Sequence, residues 1–376
     1  MNIAIDIRAI GKNRTGDEVY TLELIKGLIN LGIGHNFYLF TDTEDWYQVP
    51  TLKDLPANWQ VIPILPKSKL LWTEYLLPKF CHKYHIDLLH IQYIAPLFGL
   101  PKYTKMLNTV HDISWKFVPQ YIKTLDKFLL NTLIPISIKK SDAIITVSKH
   151  SKYAINHIFG THLDKIHSVY NGGYIDKIPT VISNSQKIKK VLQEEYILYL
   201  GSLQPRKNIP TAIKAFAKYL EINPNSQLKF IIAGGKGYNY DKQIDVIIDE
   251  YNLQNKVIFV GFITDEEKIL LLKQAKIFIY LSLYEGFGIP LIEAMSLNTP
   301  VIASNTSCLP EVVEEAGILI DPYNIDDIAE SIQKLINDKR LAQRYKEKGL
   351  ERAQLFTWDN MAKKTYQVYK KLLIDQ

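Results

Sequence analysis

The sequence predicts an α/β protein with two doubly wound parallel sheets. Short apolar runs alternate with longer segments of helical period from one end of the 376-residue chain to the other. Most of the runs are apolar on both faces and end at Gly, Pro or a charged residue, as strands do when helices cover both sides of a parallel sheet. The runs are too many for one compact sheet. We therefore expect two Rossmann-like domains that face each other across a central cleft.

The expected elements follow in chain order. Strand-like runs occupy residues 2–7, 36–41, 87–91, 105–110 and 142–147 of the first half, and 196–201, 229–235, 256–261, 276–281, 300–304 and 317–320 of the second half. Between them, residues 209–220 and 265–275 carry apolar side chains near i, i+3 and i+4, which predicts helices. Residues 358–374 are a last amphipathic segment with no strand after it.

The domain boundary is expected in the stretch 176–194, which is polar, lysine-rich and without a core pattern. We therefore predict a first domain at 1–180 and a second domain at 190–357. Residues 358–376 are expected to form a C-terminal helix that can cross back to the first domain.

The composition excludes several classes of protein. Hydrophobic residues make up 47% and charged residues 22%, which is ordinary globular usage and excludes a disordered, collagen-like or coiled-coil chain. Cys81 and Cys308 are too few for a disulfide framework or a cysteine-rich zinc site. The net charge of +6 is small for this length, so we expect no nucleic-acid partner. Asp6 and Arg8 interrupt the first apolar run, which is a strand and not a signal peptide, and no run reaches the roughly 18 apolar residues of a spanning helix. We expect a cytoplasmic protein.

The most informative stretch follows the strand that ends at Leu281. A loop with Gly286 and Gly288 leads into a helix that should begin near Pro290, so backbone N–H groups and the helix N-terminus can approach an anion. Glu285 lies in the loop and Glu293 lies further along, in the helix. Ionised carboxylates are strong acceptors for the hydroxyl groups of a sugar or ribose. The alternative is a purely structural glycine turn in which Glu293 caps its helix.

A second stretch, 201–216, places Arg206 and Lys207 between a strand and a helix entered through Pro210. Two adjacent cations at the carboxyl end of a strand suit a diphosphate, although two exposed surface cations would produce the same pattern. The glycines at 233–237 let the backbone approach a ligand. Neither a P-loop nor a G-x-G-x-x-G fingerprint occurs.

Taken together, these stretches resemble the retaining family-4 glycosyltransferases of the glycosyltransferase-B fold, and especially their mannosyltransferase-like members. The matching motifs are E-x7-E at 285–293, PRKN at 205–208, and the segments 299–322, 109–115, 141–152 and 171–173. The resemblance implies a fold whose two Rossmann-like domains face a cleft, with the acceptor on the side of the first domain and a nucleotide-sugar donor on the second.

The resemblance also implies roles for individual residues. Arg206 and Lys207 would hold the donor diphosphate, Glu285 the hydroxyls of the transferred sugar, and Glu293 the ribose. His111 would reach the sugar from the first domain; its alternative is a hydrogen-bonded core histidine. The remaining donor-binding positions are Gly16, Gly201, Gly234, Phe262, Gly286, Phe287, Gly288 and Ile289.

The implied function is retaining transfer of a hexose, with mannose from GDP-mannose as the first choice, to a hydroxyl of a glycan or a lipid-linked glycan. A UDP-sugar-dependent transferase of the same fold and a catalytically weak glycan-assembly subunit are the alternatives. No D-x-D motif occurs, so we expect no metal and no cofactor, with Arg206, Lys207 and helix dipoles supplying the electrostatic stabilisation.

The sequence departs from the family pattern in the first glycine loop. Glu18 and Val19 stand where relatives commonly have glycine and arginine, while Gly16 and Tyr20 are retained. Glu18 either points inward, where it would oppose a diphosphate, or points outward or toward the acceptor. At Asn298, relatives often have glycine, and Asn tolerates the left-handed backbone well.

The segment 67–85 has two interpretations. Lysines at 67, 69, 79 and 83 lie beside apolar residues that include Leu70, Leu71 and Trp72. The segment could lie on the anionic inner face of a membrane and meet a lipid-linked acceptor. Alternatively it is a core helix whose lysines extend to solvent.

Overall fold

The computed structural model describes residues 1–11, 16–65, 68, 71–121, 124–176, 185–237 and 239–374, without the side chains of 124–126. It divides into two compact units, Met1–Gly172 with Trp358–Gln376, and Gly173–Thr357. Lys67, Lys69 and Leu70 of the lysine-rich segment lie outside the described residues, as do residues 177–184 of the expected boundary.

Within its described residues, the first unit contains one parallel sheet. Its strands are β1 (Asn2–Asp6), β2 (Asn36–Thr41), β3 (Trp59–Pro63), β4 (Leu88–Gln92), β5 (Lys105–Thr109), β6 (Ala143–Thr146) and β7 (Ile166–Ser168), in the order β3-β2-β1-β4-β5-β6-β7. Ala4 of β1 pairs with Tyr38 on one side and with Leu89 on the other. The order therefore reverses at β1 and β4, which is where open α/β sheets usually bind ligands.

The helices of the first unit pack against both faces of this sheet. They are α1 (Gly16–Asn30), α2 (Leu77–Lys83), α3 (Ser114–Phe117), α4 (Thr124–Lys140) and α5 (Lys149–Phe159), and a π-helical turn, Trp72–Leu76, precedes α2. Trp72, Leu77 and Cys81 are fully buried in one core cluster. The described part of 67–85 therefore has the packing of a core helix.

The second unit repeats the design. Its strands are β8 (Tyr196–Leu200), β9 (Lys229–Ala233), β10 (Val257–Gly261), β11 (Ile277–Tyr280), β12 (Val301–Ser304) and β13 (Ile318–Ile320), in the parallel order β10-β9-β8-β11-β12-β13. Its helices are α6 (Gln186–Val191), α7 (Ile209–Ile222), α8 (Gln243–Glu250), α9 (Asp265–Gln274), α10 (Ile289–Ser296), α11 (Leu309–Val313), α12 (Ile325–Asn337) and α13 (Lys339–Ala353). The order reverses between β8 and β11. The two parallel sheets confirm the predicted α/β class.

Local chemistry explains why these helices begin where they do. Pro210 and Pro290 occupy the first turns of α7 and α10, as their fixed backbone angle favours. Thr264 and Glu267 form a reciprocal capping box at the start of α9. Asn298 adopts φ 59°, so the left-handed backbone expected where relatives have glycine is present.

The last helix, α14 (Trp358–Ile374), packs within the first unit. Met361, Ala362 and Tyr369 are buried in the same core cluster as the strands β1 and β2. A Cβ atom added to Gly27 of α1 would lie 2.4 Å from the Cβ of Ala362, so α1 and α14 approach this closely because residue 27 is glycine. Among the described residues, no helix is both long and apolar enough to cross a bilayer.

Candidate active site

The carboxyl ends of β8 and β11 bring the two cations of the PRKN motif against the loop of the E-x7-E motif. Arg206 and Lys207 lie in a 3₁₀ turn, Pro205–Lys207, that follows β8. Glu285 lies in the loop between β11 and α10. The backbone N–H of Leu283 donates to the carbonyl oxygen of Arg206 at 2.8 Å, which ties the two loops together.

The Glu285 carboxylate is the centre of this cluster. Its Oε2 accepts a hydrogen bond from Arg206 Nη1 at 3.1 Å, and its Oε1 pairs with Lys207 Nζ. Tyr280 joins the same group, because its hydroxyl donates to Glu285 Oε1 at 2.9 Å and accepts from Lys207 Nζ at 2.8 Å. Glu285 is 7% exposed and Lys207 is 6% exposed.

Electrostatics keep Glu285 ionised in this buried position. Burial raises its pKa, but the charges of Lys207 and Arg206 outweigh burial, and the pKa falls to about 2. Two cations therefore contact the same carboxylate at the carboxyl ends of β8 and β11. Guanidinium and ammonium groups are strong donors to an anion such as a diphosphate.

Two residues just before α11 hold the loop that carries Glu285 through hydrogen bonds. The backbone N–H of Glu285 donates to Ser307 Oγ at 3.1 Å, and Cys308 Sγ donates to the carbonyl oxygens of Glu285 and Phe287 at 3.2 Å each. Gly288 has φ 106°, a conformation that favours glycine. The ring of Phe287 is buried against Phe356. The loop is therefore held at several points, and Gly286, Phe287 and Gly288 can offer backbone groups to a ligand.

Glu293 has a different partner. It lies on α10, which begins at Ile289, and its Oε1 is 2.5 Å from Lys268 Nζ of α9. Burial raises the pKa of Glu293 more than Lys268 lowers it, so the net shift is upward. Asp265 Oδ1 lies 3.6 Å from the same ammonium group. The ion pair holds the Glu293 side chain in one place on the surface between α9 and α10.

Glycines after β8 and β9 allow close contacts between loops. A Cβ atom at Gly234 would lie 2.0 Å from the carbonyl oxygen of Gly201, so the loops after β8 and β9 touch through backbone alone. A Cβ atom at Gly235 would lie 2.1 Å from the ring of Phe262. Phe262, just after β10, is 87% exposed. It presents an aromatic face that rests on glycine backbone.

In the first unit, His111 follows β5 and is buried. Its Nε2 lies 2.9 Å from Gln92 Oε1 and 3.6 Å from Asp17 Oδ1, and the edge of the Tyr20 ring packs against it. Burial lowers the pKa of His111 despite the nearby carboxylates of Asp17 and Asp112, so the ring is neutral at physiological pH.

Gly16 and Glu18 lie at the start of α1. The Glu18 carboxylate is buried, and its Oε1 accepts a hydrogen bond from the backbone N–H of Gly11 at 2.7 Å. Glu18 therefore fixes the backbone at Gly11, a role that neither orientation considered from the sequence includes.

The structure thus brings together Arg206, Lys207 and Glu285, and pairs Glu293 separately. Sequence reasoning missed Tyr280, Lys268 and Gln92. Tyr280 is the last residue of an apolar strand, and Lys268 lies in the first half of a charged helix, so neither residue stands out by pattern. In the parts of the chain that the structure describes, no three His, Cys, Asp or Glu side chains converge as a metal site.

Known proteins match both halves of the chain. The family model described as "Glycosyltransferase Family 4" matches residues 14–177, and the one described as "Glycosyl transferases group 1" matches residues 181–352. The O-antigen chain mannosyltransferase B of Escherichia coli is 28% identical over 374 residues, which are 95% of this chain and 96% of that protein.

Solved structures share the fold. Sucrose-phosphate synthase from Thermosynechococcus elongatus superimposes with a TM-score of 0.77 at 22% identity and covers 100% of both chains. Anabaena HepE in complex with UDP-glucose superimposes with a TM-score of 0.74 at 19% identity, over 99% of each chain. The two family models define a glycosyltransferase, and the solved structures share its two Rossmann-like domains. The chain belongs to glycosyltransferase family 4, which confirms the predicted family and the glycosyltransferase-B fold.

Proposed function

We propose that this protein is a retaining, metal-independent hexosyltransferase that moves mannose from GDP-mannose to a hydroxyl of a glycan or lipid-linked glycan. The observation that carries the proposal is the buried Glu285 carboxylate held between Arg206 and Lys207. This arrangement offers positive charge to a diphosphate and an ionised acceptor to sugar hydroxyls in one place. The similarity to a mannosyltransferase over nearly the whole chain supports mannose as the sugar.

Arg206 and Lys207 act on the leaving group. The bond between the sugar C1 and the diphosphate oxygen breaks, and negative charge develops on that oxygen. Two cations, together with the positive end of the α10 helix dipole, stabilise this charge in a partly buried site. No metal ion is required for this step.

The acceptor hydroxyl attacks C1 from the face that the diphosphate leaves. Its proton passes to the departing diphosphate oxygen, so the new C–O bond forms with retention and no side-chain nucleophile takes part. Glu285 orients the sugar by accepting hydrogen bonds from its hydroxyls while Tyr280 and the cations hold the carboxylate in place. His111 accepts or donates a hydrogen bond at a hydroxyl of the sugar.

The nucleotide is held by different residues. Glu293, fixed by Lys268, accepts hydrogen bonds from the ribose hydroxyls, and the exposed Phe262 packs against the base. Backbone groups near Gly16, Gly201, Gly234 and Ile289 border the phosphates and the sugar.

A UDP-sugar donor is the second candidate. The observation that favours it is that a structure of the same fold has been solved with UDP-glucose. A catalytically weak assembly subunit would need a loop that opposes the donor. The Glu18 carboxylate has a backbone partner at Gly11, which speaks against that alternative.

The acceptor determines where the protein works. Nucleotide sugars are cytoplasmic substrates in this proposal, and a lipid-linked acceptor would be met at the inner face of the membrane. In the described part of this segment, Leu71 and Tyr75 are exposed and lie close in sequence to Lys79 and Lys83, so they would contact such a surface.

The proposal is tested by ligand-dependent stabilisation and nucleotide release. GDP and GDP-mannose should raise the melting temperature, because binding increases the free energy of unfolding by RT ln(1 + [L]/Kd). NAD and ATP should leave the melting temperature unchanged. Wild type should release GDP from GDP-mannose slowly in water and faster when a glycan acceptor is added. Arg206→Ala should show neither rate at a comparable level. Equal stabilisation by NAD would contradict a transferase, and preference for UDP and UDP-glucose would select the second candidate.

A further inference from the structure

A chain of hydrogen bonds leads from His111 into α1. His111 Nε2 lies 2.9 Å from Gln92 Oε1, and Gln92 Nε2 donates to Thr21 Oγ1 at 2.7 Å. The Thr21 hydroxyl in turn donates to the backbone carbonyl of Asp17 at 2.7 Å. Gln92 is the last residue of β4, and His111 follows the neighbouring strand β5, so the sheet itself sets their separation.

The directions of these bonds follow from counting protons. A threonine hydroxyl has one proton, and here it is given to the carbonyl of Asp17. Thr21 Oγ1 can therefore only accept from Gln92, which turns the amide nitrogen of Gln92 toward Thr21 and its oxygen toward His111. An amide oxygen only accepts hydrogen bonds. His111 Nε2 must therefore carry the proton.

The surroundings favour the neutral ring. Burial lowers the pKa of His111, and His90 nearby on β4 is itself neutral because burial lowers its pKa to about 3. The carboxylates of Asp17 and Asp112 face the ring and raise its pKa, but less than burial lowers it. Asp17 Oδ1 lies near Nε2, so its charge also favours a proton on that nitrogen. The other ring nitrogen, Nδ1, is then an acceptor.

We infer that Gln92 is a positioning residue that, oriented by Thr21, holds His111 in the Nε2-protonated tautomer and leaves Nδ1 to accept a hydrogen bond from a hydroxyl of the transferred sugar. The part of this inference that concerns the sugar rests on the proposed function. The tautomer itself does not depend on it.

Three substitutions separate the members of the chain. Gln92→Leu removes the acceptor, so both tautomers of His111 should become populated. Gln92→Glu keeps an acceptor facing Nε2 and adds a charge, so the Nε2-protonated form should persist with a raised pKa. Thr21→Val keeps the shape of residue 21 but removes the hydroxyl, which frees the Gln92 amide to turn over. Thr132→Val is the matched control, since Thr132 makes the same bond to a helix carbonyl, at Phe128.

The measurement is long-range ¹H–¹⁵N correlation of the histidine rings, with His111 assigned from the spectrum of His111→Gln. Wild type, Gln92→Glu and Thr132→Val should show the Nε2-protonated form, while Gln92→Leu and Thr21→Val should show a mixture. A wild-type ring protonated at Nδ1, or no change in Gln92→Leu and Thr21→Val, would overturn the inference.

Transfer kinetics test the role of the tautomer. Gln92→Leu should lower kcat about tenfold, the factor that one hydrogen bond in the transition state represents, without changing the affinity for GDP. Gln92→Glu should recover most of the rate. An unchanged kcat in Gln92→Leu overturns the catalytic part of the inference. Absence of transfer in wild type would instead overturn the proposed function, and the ring spectra would still decide the tautomer.

Discussion

Replacing Glu285 by glutamine removes one charge from the centre of the candidate site and leaves the size of the side chain unchanged. The pKa of this carboxyl lies at about 2, compared with an ordinary value of 4.5. That difference corresponds to about 3 kcal/mol of interaction between the ionised carboxylate and its surroundings. Since Glu285 is almost fully buried, solvent screens little of this energy.

Glu285→Gln should therefore lower the free energy of unfolding of the second unit by up to about 3 kcal/mol at neutral pH, or about 6–12 °C in melting temperature for a unit of this size. A carboxylate whose pKa is lowered by folding stabilises the native state above its unfolded pKa. Wild type should lose this contribution as the pH falls from 4.5 toward 2, and Glu285→Gln should lack it throughout.

The same substitution should not weaken the binding of GDP. Arg206 and Lys207 lose an anionic partner in Glu285→Gln, and a diphosphate supplies one. Removal of a carboxylate about 6 Å from a phosphate relieves roughly 2–3 kcal/mol of repulsion at an effective dielectric constant near 20. GDP affinity should be retained or increased, while transfer should fall about a hundredfold because the sugar is no longer oriented.

Calorimetry with GDP and a transfer assay measure the two effects, with Glu293→Gln as the matched control. Glu293→Gln should weaken the binding of GDP itself, because Glu293 is assigned to the ribose. A folded Glu285→Gln protein that no longer binds GDP would refute the assignment of Arg206 and Lys207 to the diphosphate and Glu285 to the sugar.

Three further predictions follow from other contacts. Arg206→Ala should lower transfer about a hundredfold while EDTA leaves wild type unaffected; an EDTA-sensitive rate that ignores Arg206 contradicts this. Lys268→Met should weaken GDP binding as Glu293→Gln does, because it frees the Glu293 side chain. If calorimetry shows that only one of the two variants binds GDP more weakly, Lys268 does not position Glu293 for the ribose. His90 titrates near 3 when folded, so the free energy of unfolding should fall between pH 6.5 and 3 by up to about 1.4 kcal/mol per pH unit. Denaturation of His90→Gln should show a flatter slope.

The sequence was most informative where local chemistry decides the structure. Strands apolar on both faces, and prolines in the first turns of α7 and α10, predict their elements without tertiary information. The edge strand β3 was not predicted, and its apolar run is interrupted by Gln60 and ends at Pro63, a residue that weakens a strand prediction. β7 was missed as well, because it spans only three residues.

The sequence predicts candidate site residues but not the contacts among them. Glu285 lies 79 residues from Arg206 in the chain, so only the strand order of the sheet could show that they form an ion pair. Tyr280 and Gln92 carry no motif, and their importance comes from which side chains the neighbouring strands place opposite them. The position of the Glu18 side chain likewise could not be predicted, because it depends on a hydrogen bond from the backbone N–H of Gly11.

The anomeric configuration of the sugar released from GDP-mannose tests the central proposal most directly. The donor is α-linked, and water serves as the acceptor, so time-resolved ¹H NMR can identify the anomer that appears before mutarotation. We predict that α-mannose appears first with wild type and that Arg206→Ala releases it about a hundredfold more slowly. Release of β-mannose first, or no release above the variant, would contradict retaining transfer from GDP-mannose at the Arg206–Lys207–Glu285 site.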